Sequence, residues 1–337
     1  MKKIPIFFTF DDNYVVPAAV AFESLLANAI DGIFYDLYVI HTKVTDANQE
    51  LLTKIVNSHG NGALSFIDVT NKFDFEFNDQ KFRSVHAGAV FTVETLYRCC
   101  PMLISEFTQY DKIIYSDVDI VVVSDISELW SIELGESYLA GVNVPAFLKE
   151  ERTHLDPKFE GCYVSGGIWV MNLKKMREDN LGRIVLGLIE DPPFRLIWQD
   201  QDIINIACDC NVKFLPYIYI SIPTWFTMLA EKDFWDEYYP SGELYDAMYR
   251  PKIVHYAGAK PWNDRQIHKA DLWYYWLGKT PFAGSYAKFE YLERSYVYRV
   301  YLLGFIKIFA MKGRFVKNKL YSWIGAIPFI KVKRSIG

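Results

Sequence analysis

The segment YDKIIYSDVDIVVVSD, residues 110–125, sets Asp117 and Asp119 two positions apart between the apolar runs Lys112–Tyr115 and Ile120–Val123. Each run has the composition of a buried central strand. Unpaired carboxylates among such strands would cost several kcal/mol, so the pair must meet a cation or emerge at a strand end. A divalent metal satisfies both conditions. Three further groups could do chemistry. Asp11, Asp12 and Asn13 follow the first apolar run, where they read equally as a helix N-cap and as a ligand loop. Asp200 and Gln201 lie in WQDQDIINIA, which taken alone is the solvated face of a short helix. His255 lies in KIVHYAGAKPW, and a lone histidine on an apolar strand is more often a hydrogen-bonded core residue than a ligand. His41, His59, His154 and His268 read as surface residues.

The elements that must position these groups follow from the spacing of apolar residues. Ile4–Phe10 predicts a buried strand, Pro17–Ala29 a helix with proline in its first turn, and Asp36–Ile40 a second strand. Thr45–Ser58 predicts a helix with apolar residues at Ala47, Leu51, Leu52, Ile55 and Val56 and a stop at Gly60, and Leu64–Val69 a third strand. A βαβαβ order implies a mostly parallel sheet with ligands beyond the carboxyl ends of its strands, which places residues 11–13 at the mouth of the site. Further on, Val164–Leu173 reads as a strand entered through glycines, Trp198–Ala207 as a short helix, and Lys252–Trp262 as a strand running into a glycine loop.

The order FDDNY (10–14), LYR (96–98), YSDVDIVVVSDISELW (115–130), SGGIWVMNLKKM (165–176), WQDQDIIN (198–205) and HYAGAKPW (255–262) resembles glycosyltransferase family 8, over roughly residues 4–265. That family includes glycogenin and bacterial lipopolysaccharide galactosyl- and glucosyltransferases. The resemblance implies an α/β fold of the GT-A type with a mostly parallel central sheet, a manganese or magnesium ion, a UDP-hexose donor, and transfer with retention to a glycan or glycolipid acceptor. It makes Asp117, Asp119 and His255 the metal ligands, and two carboxylates with an imidazole do suit such an ion. It sets Asp11, Asn13, Tyr14, Arg98, Val118, Gly258 and Lys260 around the nucleotide sugar, with Tyr14 stacking on uracil and Lys260 on the diphosphate. Asp200 and Gln201 become the catalytic pair, with Gln201 beneath the anomeric carbon. The chain departs from the family in two places. Ser165 stands where lipopolysaccharide members often have asparagine, and Ala259 alone separates Gly258 from Lys260 where two residues are usual.

Two other functions fit parts of the pattern. SDVDIVV also matches the nucleophile motif of haloacid-dehalogenase-type phosphatases, but that motif normally sits on the first strand. A catalytically inactive nucleotide-sugar-binding protein is the other, and retention of both carboxylates, the histidine, the lysine and the Asp-Gln pair argues against it.

At 337 residues the chain suffices for one large core with an appendage. Its net charge of −5 is unevenly spread: residues 288–337 hold eleven Lys/Arg against two acids, or +9, which leaves −14 on residues 1–287. We therefore divide the chain into a catalytic domain, 1–287, and a basic-aromatic C-terminal helical extension, 288–337. The extension includes YVYRVYLLGFIKIFA (296–310), too short and too interrupted by Arg299 and Lys307 to span a bilayer, and it fits an anchor on an anionic membrane surface. No nucleic-acid partner is expected. The five cysteines show neither a paired disulfide spacing nor a zinc pattern. With an N-terminus that reads as a first strand, they place the protein in the cytoplasm, peripheral on the inner face of the membrane.

Overall fold

Ile4 to Phe8 form an unbroken apolar run that has to be covered on both faces, and strand β1 (Lys2–Thr9) meets that need inside the main sheet. Its side chains alternate between two cores. Phe8 packs on Phe22 of helix α1 (Val15–Ala27) with ring centroids 4.9 Å apart. Phe7 faces the other way, 5.1 Å from Tyr115, which in turn lies 5.1 Å from Trp169. Each such fully buried aromatic contributes roughly 1.5–3 kcal/mol through burial alone. The computed structural model describes residues 1–70, 72, 92–144, 155–191, 193, 196–225 and 243–284.

From β1 the chain runs through α1, β2 (Ile33–His41), α2 (Asp46–His59) and β3 (Gly62–Asp68), the expected βαβαβ unit. Gly60 ends α2 in the left-handed conformation, φ 71°, which glycine adopts at no steric cost. Helix α3 (Val93–Cys99) precedes β4 (Ile113–Ser116), β5 (Ile120–Val122) and β6 (Leu139–Asn143). Strand β7 (Val164–Met171) leads through helices α4 (Leu173–Glu178), α5 (Leu181–Glu190) and α6 (Gln199–Cys208) to β8 (Val212–Leu215). Helix α7 (Glu243–Tyr249), strand β9 (Ile253–His255) and helix α8 (Ala270–Leu277) follow.

Among the described residues, the main sheet has the order β3-β2-β1-β4-β7-β6-β8. Only β7 runs against the rest, antiparallel to both β4 and β6, so the sheet is mostly parallel as expected. One expectation is corrected. Ile120–Val122 is buried but is not a central strand; it leaves the sheet and pairs antiparallel with β9 in a small ribbon. The Asp-x-Asp segment is thus the bend where the chain passes from one sheet to the other.

Two histidines read as surface residues are buried: His41, whose Nδ1 accepts from the Val44 N–H at 3.3 Å, and His268 at 6% exposure. His59 is partly buried against Glu23, Nε2 to Oε2 2.9 Å. Cys162 and Cys210 form a disulfide with Cα atoms 5.2 Å apart, a pair that their 48-residue separation did not reveal, so the expectation of unpaired cysteines is corrected and the cysteines do not support a reducing compartment. No helix among the described residues is long and apolar enough to cross a membrane. His154 and the C-terminal extension lie outside the described residues.

Candidate active site

The register of the small ribbon assembles the carboxylate–imidazole cluster. Ile120 pairs with His255, so the histidine at the end of β9 lies opposite the residue that follows Asp119. The Tyr256 N–H donates to the Asp119 carbonyl at 2.9 Å and the Asp117 N–H to the Gly167 carbonyl at 3.0 Å, which fixes the bend between the sheets. His255 Nε2 then lies 3.2 Å from Asp117 Oδ2 and 3.1 Å from Asp119 Oδ1. One ligand atom from each of the three residues falls within 4.8 Å of the others. This donor set fits a divalent cation of the manganese or magnesium kind.

Cations surround the same carboxylates. Lys260 pairs with Asp119 and also donates to the Tyr256 carbonyl at 2.9 Å. The glycine loop therefore brings Lys260 to the cluster despite being one residue short. Its turn depends on Gly258, whose φ of 79° few other residues adopt cheaply. Arg98, in the last turn of α3, pairs with Asp200, approaches Asp117 Oδ1 at 3.3 Å and lies over the Tyr115 ring at 5.1 Å. Tyr115 donates its hydroxyl to Asp117.

The electrostatics follow from this balance. Burial opposes charge on Asp119, yet Lys260 and His255 hold its carboxyl far below the usual range. Burial likewise pulls His255 down, but the charge of Asp119 and hydrogen bonds to both carboxylates outweigh it and raise the imidazole to about 9. Lys260, desolvated but paired with Asp119, is shifted upward. Three carboxylates (Asp117, Asp119, Asp200) thus meet three basic side chains (Arg98, His255, Lys260).

A cavity of about 360 Å³ opens over the cluster, lined by Asp117, Asp119, His255, Arg98, Asp200, Gln201, Gly258 and Lys260. These eight residues and Ser165, all singled out in the sequence, therefore share one pocket. Asp11, Asn13, Tyr14 and Val118 do not line it. Val118 joins the core with its side chain, at 5% exposure. Asp11 accepts from the Asn13 N–H at 3.0 Å and caps the one-turn helix Asp12–Tyr14, as its N-cap reading implies. Tyr14 stands edge-on to Trp262 with centroids 6.2 Å apart.

Sequence reasoning passed over the residue that makes room for the histidine. A Cβ on Gly167 would lie 2.3 Å from His255 Nδ1 and 2.9 Å from Ile220 Cδ1, so only glycine fits there. The doublet Gly166-Gly167 was its visible signal. Trp198 and Trp225, which give the pocket aromatic walls, were not distinguished from the many core aromatics.

The family model for glycosyl transferase family 8 matches residues 5–266. The chain belongs to that family. This glycosyltransferase is 28% identical to general stress protein A of Bacillus subtilis (strain 168) over 282 residues, 80% of this chain and 91% of that protein. It is 25% identical to a lipopolysaccharide 1,2-glucosyltransferase of Escherichia coli over 301 residues, 84% and 82% of the two chains. Among solved structures, it is similar to the bifunctional glycosyltransferase WbbM with a TM-score of 0.68 at 26% identity, covering 84% of this chain and about half, 51%, of that one. The galactosyltransferase LgtC, solved with donor and acceptor sugar analogues, has a TM-score of 0.64 at 22% identity, covers 82% and 96% of the two chains, and identifies the fold as GT-A. Membership of this family displaces the phosphatase reading of the Asp-x-Asp motif.

Proposed function

We propose that this glycosyltransferase moves a hexose, galactose or glucose, from a UDP-sugar onto a lipopolysaccharide, capsule or other cell-surface glycan with retention of anomeric configuration. The observation that carries the reading is the convergence of Asp117, Asp119 and His255 with Lys260, Arg98 and Gln201 on one pocket. Asp117, Asp119 and His255 would hold manganese or magnesium, which when bound supplies positive charge to a departing diphosphate.

The chain's own residues supply the rest. Lys260 brings a compact ammonium to the cluster, suited to phosphate oxygens as a point charge. Arg98 holds Asp200 and Asp117 in place through a planar fork. Gln201 presents an amide to the pocket, where it can stabilise positive charge developing on the sugar ring. Asp11, Asn13, Tyr14 and the backbone of Val118 would border the nucleotide, and the walls of Trp198 and Trp225 suit stacking on an acceptor sugar. The relatives whose names include lipopolysaccharide 1,2-glucosyltransferase support a glycan acceptor. On this reading the enzyme works in the cytoplasm, held to the anionic inner face of the membrane through residues 288–337, with support from the charge of that segment.

Incubation of the full-length protein with UDP-galactose or UDP-glucose tests the proposal. We expect slow UDP release that requires manganese or magnesium and falls more than about a hundredfold in Asp119→Ala and His255→Ala. UDP release that is indifferent to EDTA and to both substitutions would refute the metal assignment.

A further inference from the structure

The amide of Gln201 reaches the pocket from the first turn of α6, and its orientation is fixed from behind. Its carbonyl oxygen accepts from the Gly166 N–H at 2.7 Å, and its amino group donates to the Tyr163 hydroxyl at 3.0 Å. Tyr163, fully buried, donates in turn to Asp202 Oδ1. Asp202 is also fully buried, and its Oδ2 accepts from the N–H groups of Ile197 at 2.7 Å and Trp198 at 2.8 Å. Asn205 braces the same turn: its side-chain oxygen accepts from the Val164 N–H at 2.8 Å, and its amino group donates to the backbone carbonyls of Val164 at 2.8 Å and Gln201 at 2.7 Å.

The direction of each bond follows from chemistry. A carboxylate can only accept, so the Tyr163 proton points to Asp202 and the phenolic oxygen is left with a lone pair for Gln201. Reversing the Gln201 amide would set its oxygen against that lone pair and its amino group against the Gly166 N–H. Two hydrogen bonds would become two repulsive contacts. Burial and the charge of Asp202 push the Tyr163 hydroxyl well above its ordinary range, so the proton stays in place.

We infer that Asp202 and Tyr163 are positioning residues that, through the Tyr163 hydroxyl proton and together with the Gly166 N–H, hold the Gln201 amide in a single orientation at the donor sugar. The inference rests on the proposed reading of this pocket as the donor site. Asp202 is a carboxylate one position from Gln201, but it does not line the cavity and is held by two backbone N–H groups, so it acts through Gln201.

The test measures kcat and donor KM for UDP-sugar hydrolysis in Tyr163→Phe, Asp202→Asn, Gln201→Ala and the Tyr163→Phe/Gln201→Ala double variant. In Asp202→Asn the new amide can keep the Ile197 and Trp198 bonds while donating to Tyr163, which turns the phenolic proton against the Gln201 amino group. Either orientation of the Gln201 amide then keeps one bond and meets one repulsion, so the preference for a single orientation is lost. We expect Tyr163→Phe and Asp202→Asn to lower kcat roughly 10- to 100-fold with donor KM changed less than about twofold. In the double variant, Tyr163→Phe should add nothing to Gln201→Ala, because no amide remains to be oriented. Additive losses in the double variant, or a rise in KM with kcat intact, would overturn the inference. An unchanged kcat in Gln201→Ala alone would instead remove the donor-site reading beneath it. Melting temperatures accompany the kinetics, and if Asp202→Asn does not fold, the Tyr163→Phe cycle decides by itself.

Discussion

Gly167 is the residue on which the cluster depends without contributing a ligand. Because a Cβ there would overlap the His255 ring, Gly167→Ala must displace either the imidazole or β7. The ring is already wedged, with its Nδ1 buried and lacking a hydrogen-bond partner among the described residues, and its other nitrogen faces both carboxylates. Displacing it separates the three ligands. We expect Gly167→Ala to weaken manganese binding roughly 10- to 100-fold by calorimetry, as loss of a supporting contact at a metal site typically does. It should also lower the melting temperature, since overpacking a filled site costs about 1–3 kcal/mol. Gly166→Ala serves as the comparison: its Cβ would meet Gln201 Oε1 at 3.4 Å, ordinary contact that leaves His255 alone. Equal metal affinity in the two variants would show that Gly167 does not set the histidine. At this scale the sequence showed residue types but not their neighbours. Asp117, Asp119, His255 and Lys260 could be grouped from their motifs, whereas Tyr163 and Asp202 matter only because strand β7 and helix α6 fold side by side.

The elements were legible where a single period governs a long run. β1, α1, β2, α2 and β3 appear in the expected order, because apolar runs of strand length and the 3.6-residue pattern of α2 each specify one answer. Boundaries moved where aromatic residues extend a strand: β2 starts at Ile33 and takes in Phe34 and Tyr35, which suit a pleated surface. Short strands gave no such signal. Ile120–Val122 is as apolar as a central strand, and nothing local says that its partner is Ile253–His255, more than a hundred residues away. The ribbon and helix α8 share a core of Val121, Val254, Tyr256, Trp273 and Leu277, and His268 enters just before that helix. Burial, with the charge of Lys269, pushes the His268 imidazole down to about 4 from its ordinary 6.5. The unfolded chain takes up this proton as pH falls through 6.5, and the folded chain only near 4, so stability is complete above 6.5 and is lost as pH falls across that window. The loss should amount to about 2 kcal/mol between pH 7 and 5. Urea unfolding of the metal-free protein and of His268→Gln at the two pH values isolates it. The substitution should flatten the pH dependence by that amount, and parallel curves for the two proteins would mean that His268 titrates normally in the fold.

Across the whole molecule, the dominant fact is the separation of charge: −14 on residues 1–287 and +9 on residues 288–337. A glycosyltransferase whose acceptor is a glycolipid has to meet it at an anionic surface, and the acidic part alone would be repelled from one. The C-terminal segment combines the two contributions that interfacial binding requires. Tyr296, Tyr298, Tyr301, Phe305, Phe309 and Trp323 supply apolar and aromatic surface, and eleven Lys/Arg supply attraction. At about 1 kcal/mol per basic residue near an anionic leaflet, engagement of half of them would bind the protein at low salt. Screening would release it as the Debye length falls from roughly 10 Å at 0.1 M salt to about 3 Å at 1 M. We therefore expect full-length protein to sediment with phosphatidylserine-containing vesicles at low salt, to stay in the supernatant at high salt, and to ignore neutral vesicles under both conditions. A chain ending at Ala287 should remain in the supernatant throughout while keeping its metal-dependent release of UDP. Vesicle binding that persists in the shortened chain, or intact protein that never sediments, would sink the anchor and leave residues 288–337 without a part in reaching the acceptor.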